Sequence, residues 1–295
     1  MTTPHAVLQQ CCAEAGLPAS YGEDVARLVL PWLAAVVAEA PADRPLVLGI
    51  NGAQGSGKST LAQVLERICR RCHGLPTARL SIDDVYLPLA QRQHMAATVH
   101  PLLITRGVPG THDLALAHAV LDRLAQPGPC SMPTFAKAID DRLPPARWPS
   151  ITGPARVILF EGWCVGCRPE PAERLAQPVH ALESSEDGEG CWRRFVNDQL
   201  AGPYAALFAR LDCLLMLHAP DIDAVHRWRG RQEQRLATTA TGPGVLDHAG
   251  LRRFISHFER LTRWQWQDLP EIAAARIVLD GDQRMVEMVG RGSPG

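Results

Sequence analysis

The run Gly52-Ala-Gln-Gly-Ser-Gly57-Lys58-Ser59 constrains the fold of this chain more than any other feature, because it meets the G-x-x-x-x-G-K-[ST] pattern at every fixed position. Such a loop works only between a buried strand and a helix. Both are expected here: Leu46-Val-Leu-Gly-Ile50 is an apolar run of strand length, and Lys58 to Arg71 has helical spacing. The glycines let the backbone curl with its amide groups pointing inward, and the helix N-terminus adds partial positive charge, so the loop grips a polyphosphate. Gly52, Ala53, Gln54, Gly55, Ser56, Gly57, Lys58, Ser59 and Thr60 are therefore the expected nucleotide cradle. Lys58 is expected to reach the β and γ phosphates and Ser59 to ligate magnesium.

Further short apolar runs follow at Thr77 to Ile82, Val157 to Phe160, Leu211 to Leu217 and Arg276 to Leu279, with segments between them long enough for crossover helices. This order predicts an α/β fold with a doubly wound parallel sheet of the P-loop NTPase type, covered on both faces. A chain of 295 residues with 46% hydrophobic residues can bury one such core. Ahead of it, Val25, Leu28, Val29, Trp32, Leu33 and Val36 recur at helical spacing, which predicts one or two amphipathic helices before Pro41-Ala-Asp-Arg-Pro45 breaks the pattern. Pro127 to Pro154, rich in proline and charge, reads as an ordered but irregular excursion, a usual place for substrate-binding groups. Glu183 to Gly190 is acidic and small and reads as a solvated loop.

Bulk properties remove several classes of function. Thirty basic residues against 31 acidic ones leave a net charge of -1, so no global field draws the chain to nucleic acid or to an anionic membrane. No apolar stretch approaches the ~20 residues of a membrane span. Met1 to Gln10 lacks the basic-then-apolar pattern of a secretory signal, and a cytoplasmic location is expected. Cys69-Arg-Arg-Cys72-His73 has haem-attachment spacing, and with Cys164-Val-Gly-Cys167 it could form a four-thiolate zinc site. The first pair, however, ends the helix after the loop and the second follows a strand. Reduced, incidental thiols are the expectation.

Three groups of residues carry candidate chemistry. Glu161 follows four apolar residues directly, where an unpaired carboxylate would be expensive to bury, so a metal cation is its expected partner. Asp83 and Asp84 close the run Arg79-Leu-Ser-Ile82, and one of the pair can orient an acceptor hydroxyl and take its proton. Both could also cap the next turn. Arg227, Arg229, Arg231 and Arg235 lie in a helical stretch after Leu211 to Leu217 and suit closure over a transferring phosphate, although a charge run of this kind also describes a solvated helix face.

The chain resembles the plant-type D-glycerate 3-kinases, within the phosphoribulokinase, uridine kinase and pantothenate kinase superfamily. The resemblance spans about Leu46 to Asp280 and rests on the loop with Gln54, Leu80-Ser-Ile-Asp-Asp-Val-Tyr86, Arg106-Gly-Val-Pro-Gly-Thr-His112-Asp113, Pro133-Thr-Phe-Ala-Lys137, Asp141-Arg142, Trp148-Pro149, Ile158-Leu-Phe-Glu-Gly-Trp163, Val196-Asn197 and Arg227-Trp-Arg229. The helical spacing ahead of Pro41 and the loop that follows divide the chain into an expected N-terminal helical extension, residues 1–44, and a P-loop kinase domain, residues 45–295. The resemblance implies ATP and Mg2+ as cofactors, D-glycerate as the small-molecule acceptor and 3-phosphoglycerate as product. By the same resemblance Asp83 is the base, Lys58, Glu161, Arg227 and Arg229 act on the phosphates, and Tyr86, Arg106, His112, Asp113, Lys137 and Arg142 join Asp83 in binding the acceptor. His112-Asp113 could equally cap the helix Leu114 to Leu124. Rival readings are a same-fold kinase for a nucleoside, pantothenate or another sugar acid, and a P-loop ATPase or regulatory nucleotide-binding protein. The second rival has no need of a hydroxyl-binding pocket such as Asp83 and the His112 to Arg142 segment would form.

Overall fold

The structure, a computed structural model, describes residues 3–239 and 248–290; the side chains of residues 233–239 and 248 lie outside that description. The chain begins with α1 (Pro4–Ala15), α2 (Ala19–Asp24), α3 (Leu30–Ala38), β1 (Leu46–Gly52), α4 (Lys58–Cys72), β2 (Thr77–Ser81), α5 (Leu89–Thr98) and α6 (Leu114–Leu124). Short strands β3 (Gly128–Ser131), β4 (Phe135–Ala136), β5 (Asp141–Arg142) and β6 (Ser150–Gly153) follow, then β7 (Val157–Gly162), α7 (Ala181–Glu186), α8 (Cys191–Gln199) and α9 (Ala205–Phe208). The last third holds β8 (Cys213–His218), α10 (Ile222–Thr239), α11 (His248–Asp268), β9 (Ala275–Leu279) and β10 (Met285–Gly290).

The main sheet has the order β10-β9-β8-β1-β7-β2. All its pairings are parallel except β9 with β10. Successive side chains along a strand point to opposite faces, and the buried residues divide accordingly. Leu48, Ile50, Val157, Leu159, Leu215 and Leu217 pack with α4, through Leu61, Leu65 and Ile68. Val47, Ile158, Phe160, Leu214 and Met216 pack on the other face with Val120 and Leu121 of α6 and Phe258 and Leu261 of α11. Burial on both faces is why these strands read as continuous apolar runs rather than as alternating ones.

The five apolar runs correspond to β1, β2, β7, β8 and β9 within one or two residues. The sixth strand, β10, was not expected, and it makes the sheet mixed rather than wholly parallel. The helices ahead of β1 number three, with a π-helical turn at Val25–Val29 joining α2 to α3. Val7, Leu8, Val25, Val29 and Leu33 share the α4-side core with Leu48 and Leu65, so this segment closes one face of the sheet. Within Pro127 to Pro154 the excursion is an arm of nested pairs, β3 with β6 and β4 with β5. Among the described residues no helix is long and apolar enough to cross a membrane.

One expectation fails. Glu183 to Gly190 is not a solvated loop: Glu183 lies in α7 with no exposed surface, and Asp187 is buried. The carboxylate of Glu183 accepts from Nε of Arg260 at 2.6 Å and from its Nη2 at 2.8 Å, while Asp187 caps α8 by accepting from the backbone amides of Trp192 and Arg193. Composition suggested solvent because the partner that makes burial tolerable is 77 residues away.

Candidate active site

The site lies at the carboxyl ends of the strands, where β1 is flanked by β7 and β8 and the connections leave in opposite directions, the usual crevice of an open α/β sheet. Gly57 has φ 90° and serves as N-cap of α4, a conformation open to glycine at little cost. Gly55, with φ 77°, has a second constraint: a Cβ there would lie 2.8 Å from Cβ of Trp228. Trp228 of α10 is buried against the loop and donates through Nε1 to the carbonyl of Gly281 at 2.8 Å. Asn51, at the end of β1, donates to the carbonyl of Val165 at 2.9 Å and to Oε1 of Gln265 at 2.8 Å. It ties the start of the loop to the turn after β7 and to α11.

Glu161 closes β7 beside the loop. Its Oε1 accepts from the Ser59 hydroxyl at 2.7 Å, while Oε2 is buried with no hydrogen-bond partner. An orphaned carboxylate oxygen next to the P-loop hydroxyl is a donor set suited to Mg2+, which keeps several waters and takes one or two protein oxygens plus phosphate oxygens. Ser59 and Glu161 would hold the ion. No cluster of three or more His, Cys, Asp or Glu groups suited to a metal occurs among the described residues, and a magnesium shared with phosphate needs none. Cys69 and Cys72 lie at the C-terminal end of α4, and Cys164 and Cys167 in the turn after β7.

Asp83 stands in a 3-10 turn, Ile82–Val85, that continues β2. Its Oδ1 accepts from the Tyr86 hydroxyl at 2.7 Å and its Oδ2 from Nζ of Lys137 at 2.7 Å. Burial pushes the carboxyl up, but the charges of Lys137 and Lys58 and these two hydrogen bonds outweigh it, so Asp83 is held well below the usual carboxylate range. Its neighbour behaves oppositely: burial and the charge of Asp83 push Asp84 up to about 6. The two adjacent carboxyls thus have their affinities for a proton pushed apart, a separation that marks acid–base sites.

Lys137 belongs to the turn between β4 and β5, and its place over Asp83 is set from beneath. Arg92, fully buried, donates from Nη2 to the Asp140 carbonyl at 2.6 Å and pairs with its carboxylate at 3.0 Å, and Arg106 also binds that carboxylate. Arg106 lies over the ring of Phe135 at 5.6 Å, and Phe135 meets Tyr86 edge-on at 5.2 Å. Asp140 was not anticipated, although its φ of 53° puts it in the left-handed turn conformation that Asp and Asn tolerate.

One cavity, of about 420 Å³, is lined by Gln54 to Thr60, Asp83, Tyr86, Arg106, Lys137, Trp163, Arg229 and Phe258, among others. Several expected residues do not reach it. Asp113 caps α6, accepting from the Leu116 amide at 3.0 Å, and pairs with Nη1 of Arg142 at 2.9 Å, so these two neutralise each other outside the cavity. His112 is one layer behind: it stacks on Tyr86 at 4.7 Å, and its Nδ1 meets the Tyr204 hydroxyl at 2.5 Å. Arg227 is exposed and lies near Gly281 instead. With Trp228 turned into the loop, Arg229, Arg231 and Gln232 line the cavity, while Arg227, one turn before Arg231 on the same stripe of α10, lies outside it beside Gly281. The side chain of Arg235 is outside the described residues.

His112 gives a pH-dependent expectation. Burial pushes its imidazole from 6.5 down to about 3, against the opposing pull of Asp83. A base with a depressed folded pKa contributes stability that is complete above its unfolded value and is lost as pH falls toward the folded one. The wild-type protein should therefore lose about 3 kcal/mol through this residue between pH ~6.5 and ~4. His112→Gln should flatten that slope, measured as urea unfolding free energy against pH.

A phosphate-gripping loop, a metal-suited carboxylate and an ionised aspartate over the same cavity define a P-loop kinase, ATP-dependent and acting on a small molecule. Comparison with known proteins agrees. An uncharacterized kinase, mug58, of Schizosaccharomyces pombe is 34% identical over 230 residues, 74% of this chain and 80% of that one. The chloroplastic D-glycerate 3-kinase of Arabidopsis thaliana is 31% identical over 225 residues, which are 72% of this chain and 46% of the plant protein. In fold, the chain matches the D-glycerate 3-kinase from Cryptococcus neoformans with a TM-score of 0.70 at 24% identity, over 89% of this chain and 96% of the other. No family model matches the chain. It belongs, with mug58, to a family of P-loop kinases.

Proposed function

We propose that the chain transfers the γ-phosphate of ATP to the 3-hydroxyl of D-glycerate, releasing ADP and a proton and forming 3-phosphoglycerate. The observation that carries this reading is the pair of cations beside the base, Lys137 at 2.7 Å from Asp83 and Arg106 on the adjoining wall of the same cavity. A hydroxy acid has one group for each: the hydroxyl suits the ionised Asp83, and the carboxylate suits Lys137 and Arg106. Arg142, engaged by Asp113 outside the cavity, has no part in this scheme.

In the reaction, Lys58 and the loop amides would bind the β and γ phosphates, and Ser59 and Glu161 would hold magnesium, whose charge would offset that of the phosphate oxygens. Asp83 fixes the attacking oxygen in line and accepts its proton as the new P–O bond forms. Tyr86, itself braced by His112, keeps the carboxylate of Asp83 aimed. Arg229 reaches the cavity from α10 and adds charge over the transferring group.

The test is ADP release with D-glycerate, L-glycerate, glycerol, uridine and pantothenate. Glycerol keeps the hydroxyls but lacks the anion that would add a charge-assisted contact to Lys137 and Arg106 beside their pairs with Asp83 and Asp140, a contact of about 1.5–3 kcal/mol, so D-glycerate should exceed it by at least about tenfold in kcat/KM. Turnover of uridine or pantothenate without turnover of glycerate would sink the acceptor assignment while leaving the kinase.

A further inference from the structure

A cavity of about 420 Å³ is larger than a three-carbon acid requires, and its lining crosses the carboxyl edge of the sheet from one border to the other. At the β2 border stand Asp83 and Lys137. In the middle, at the end of β1, is the P-loop. At the opposite border, beyond β9, the lining comes from the turn between β9 and β10, through Asp282 to Arg284, and from the junction of α1 and α2, through Leu17, Pro18 and Ser20. These two segments are tied to each other and to the loop. Arg284 contacts Asp24 at 3.4 Å, and the side-chain amide of Gln283 donates to the carbonyl of Gly55.

Linear geometry then orders the nucleotide. The γ-phosphate must lie at Asp83, where the acceptor hydroxyl is held, and the triphosphate lies along the loop, so the nucleoside extends away from β2. The border beyond β9 is what remains of the cavity. We infer that the N-terminal helical segment, at Leu17, Pro18 and Ser20, together with the Asp282–Arg284 turn, forms the nucleoside end of the ATP site. Leu17 and Pro18 offer an apolar wall of the kind that a flat base packs against, and Arg284 supplies a polar rim. The helices ahead of β1 thereby serve the reaction as well as the core. This inference rests on the ATP-dependent reading but not on the identity of the acceptor.

Ser20 is half-buried and outside the core, so Ser20→Trp should fill this end without unfolding the protein. Affinity should be measured in the presence of magnesium, with no acceptor, for a non-hydrolysable ATP analogue and for inorganic tripolyphosphate, which can occupy the loop but has no nucleoside. The expected result is at least about tenfold weaker binding of the analogue, the scale of overfilling a packed site, with tripolyphosphate binding and Tm unchanged. Leu17→Ala, which removes wall rather than filling space, should weaken the analogue about threefold and leave tripolyphosphate unaffected. Equal loss for both ligands would show that these residues act on the phosphates, and no loss for either would place the nucleoside elsewhere; each result overturns the inference. Failure of glycerate as acceptor would leave these binding measurements intact.

Discussion

Lys58→Ala is expected to lower phosphoryl transfer by about 10³-fold or more while leaving Tm unchanged. Lys58 lines the cavity at the first turn of α4 and is half-exposed, so it contributes charge to the cavity rather than packing to the core. Its loss removes a positive charge from the transition state, where isolated electrostatic donors contribute about 10²–10³ in rate and charged fingers on phosphoryl groups more. ATP binding should suffer much less, because the inward amides and the N-terminus of α4 remain. A single-turnover assay beside a nucleotide-binding measurement separates the two effects. Wild-type turnover in the variant would overturn the assignment of the loop as the catalytic cradle.

The central layer was legible because its residues obey local rules. Strands buried on both faces appear as continuous apolar runs, and β1, β2, β7, β8 and β9 do so. The cap of α6 was legible for the same reason, since Asp113 stands directly before a helical stretch and its carboxylate needs only the amide of Leu116 three residues on. β10 was not legible. It is a border strand with one neighbour, Val286 and Glu287 are exposed, and nothing in Met285 to Gly290 marks it as buried.

The site was legible where a motif encodes chemistry and illegible where long-range pairing decides which groups are free. Ser59 and Glu161 could be named from context, and they meet at 2.7 Å although 102 residues separate them. The choice among basic residues could not be made, because it depends on which of them long-range pairing draws away from the cavity. Arg142 is held outside it by Asp113 and Arg92 is buried under the Asp140 turn, while Lys137, paired with Asp83, lines it. Trp228 carried a signal that composition hides: flanked by arginines in sequence, it turns into the loop, and Arg229 then lines the cavity while Arg227 lies outside it. Asn51 carried one too, as a polar residue closing an apolar strand, and its three carbonyl contacts explain why it is there.

Asp83→Asn tests the choice of base. The variant should keep ATP affinity near wild type and lose roughly 10²-fold or more in kcat, the scale of a positioned base. The low basicity of Asp83 fits this role, since phosphoryl transfer passes through a loose transition state in which the hydroxyl needs orientation more than early deprotonation. Asparagine retains the shape but offers an amide where Lys137 and the acceptor hydroxyl both need an anion. Stability should change little, because the partner Lys137 is 60% exposed and an ion pair so open to solvent is strongly screened. Held below the usual carboxylate range, Asp83 should set no acid limb in kcat at neutral or mildly acidic pH. Asp84→Asn is the control: this carboxyl is pushed up to about 6, contacts neither Lys137 nor Tyr86 by hydrogen bond, and should give the smaller loss of kcat. A larger loss for Asp84→Asn than for Asp83→Asn, measured at saturating ATP and acceptor, would transfer the role of base to Asp84.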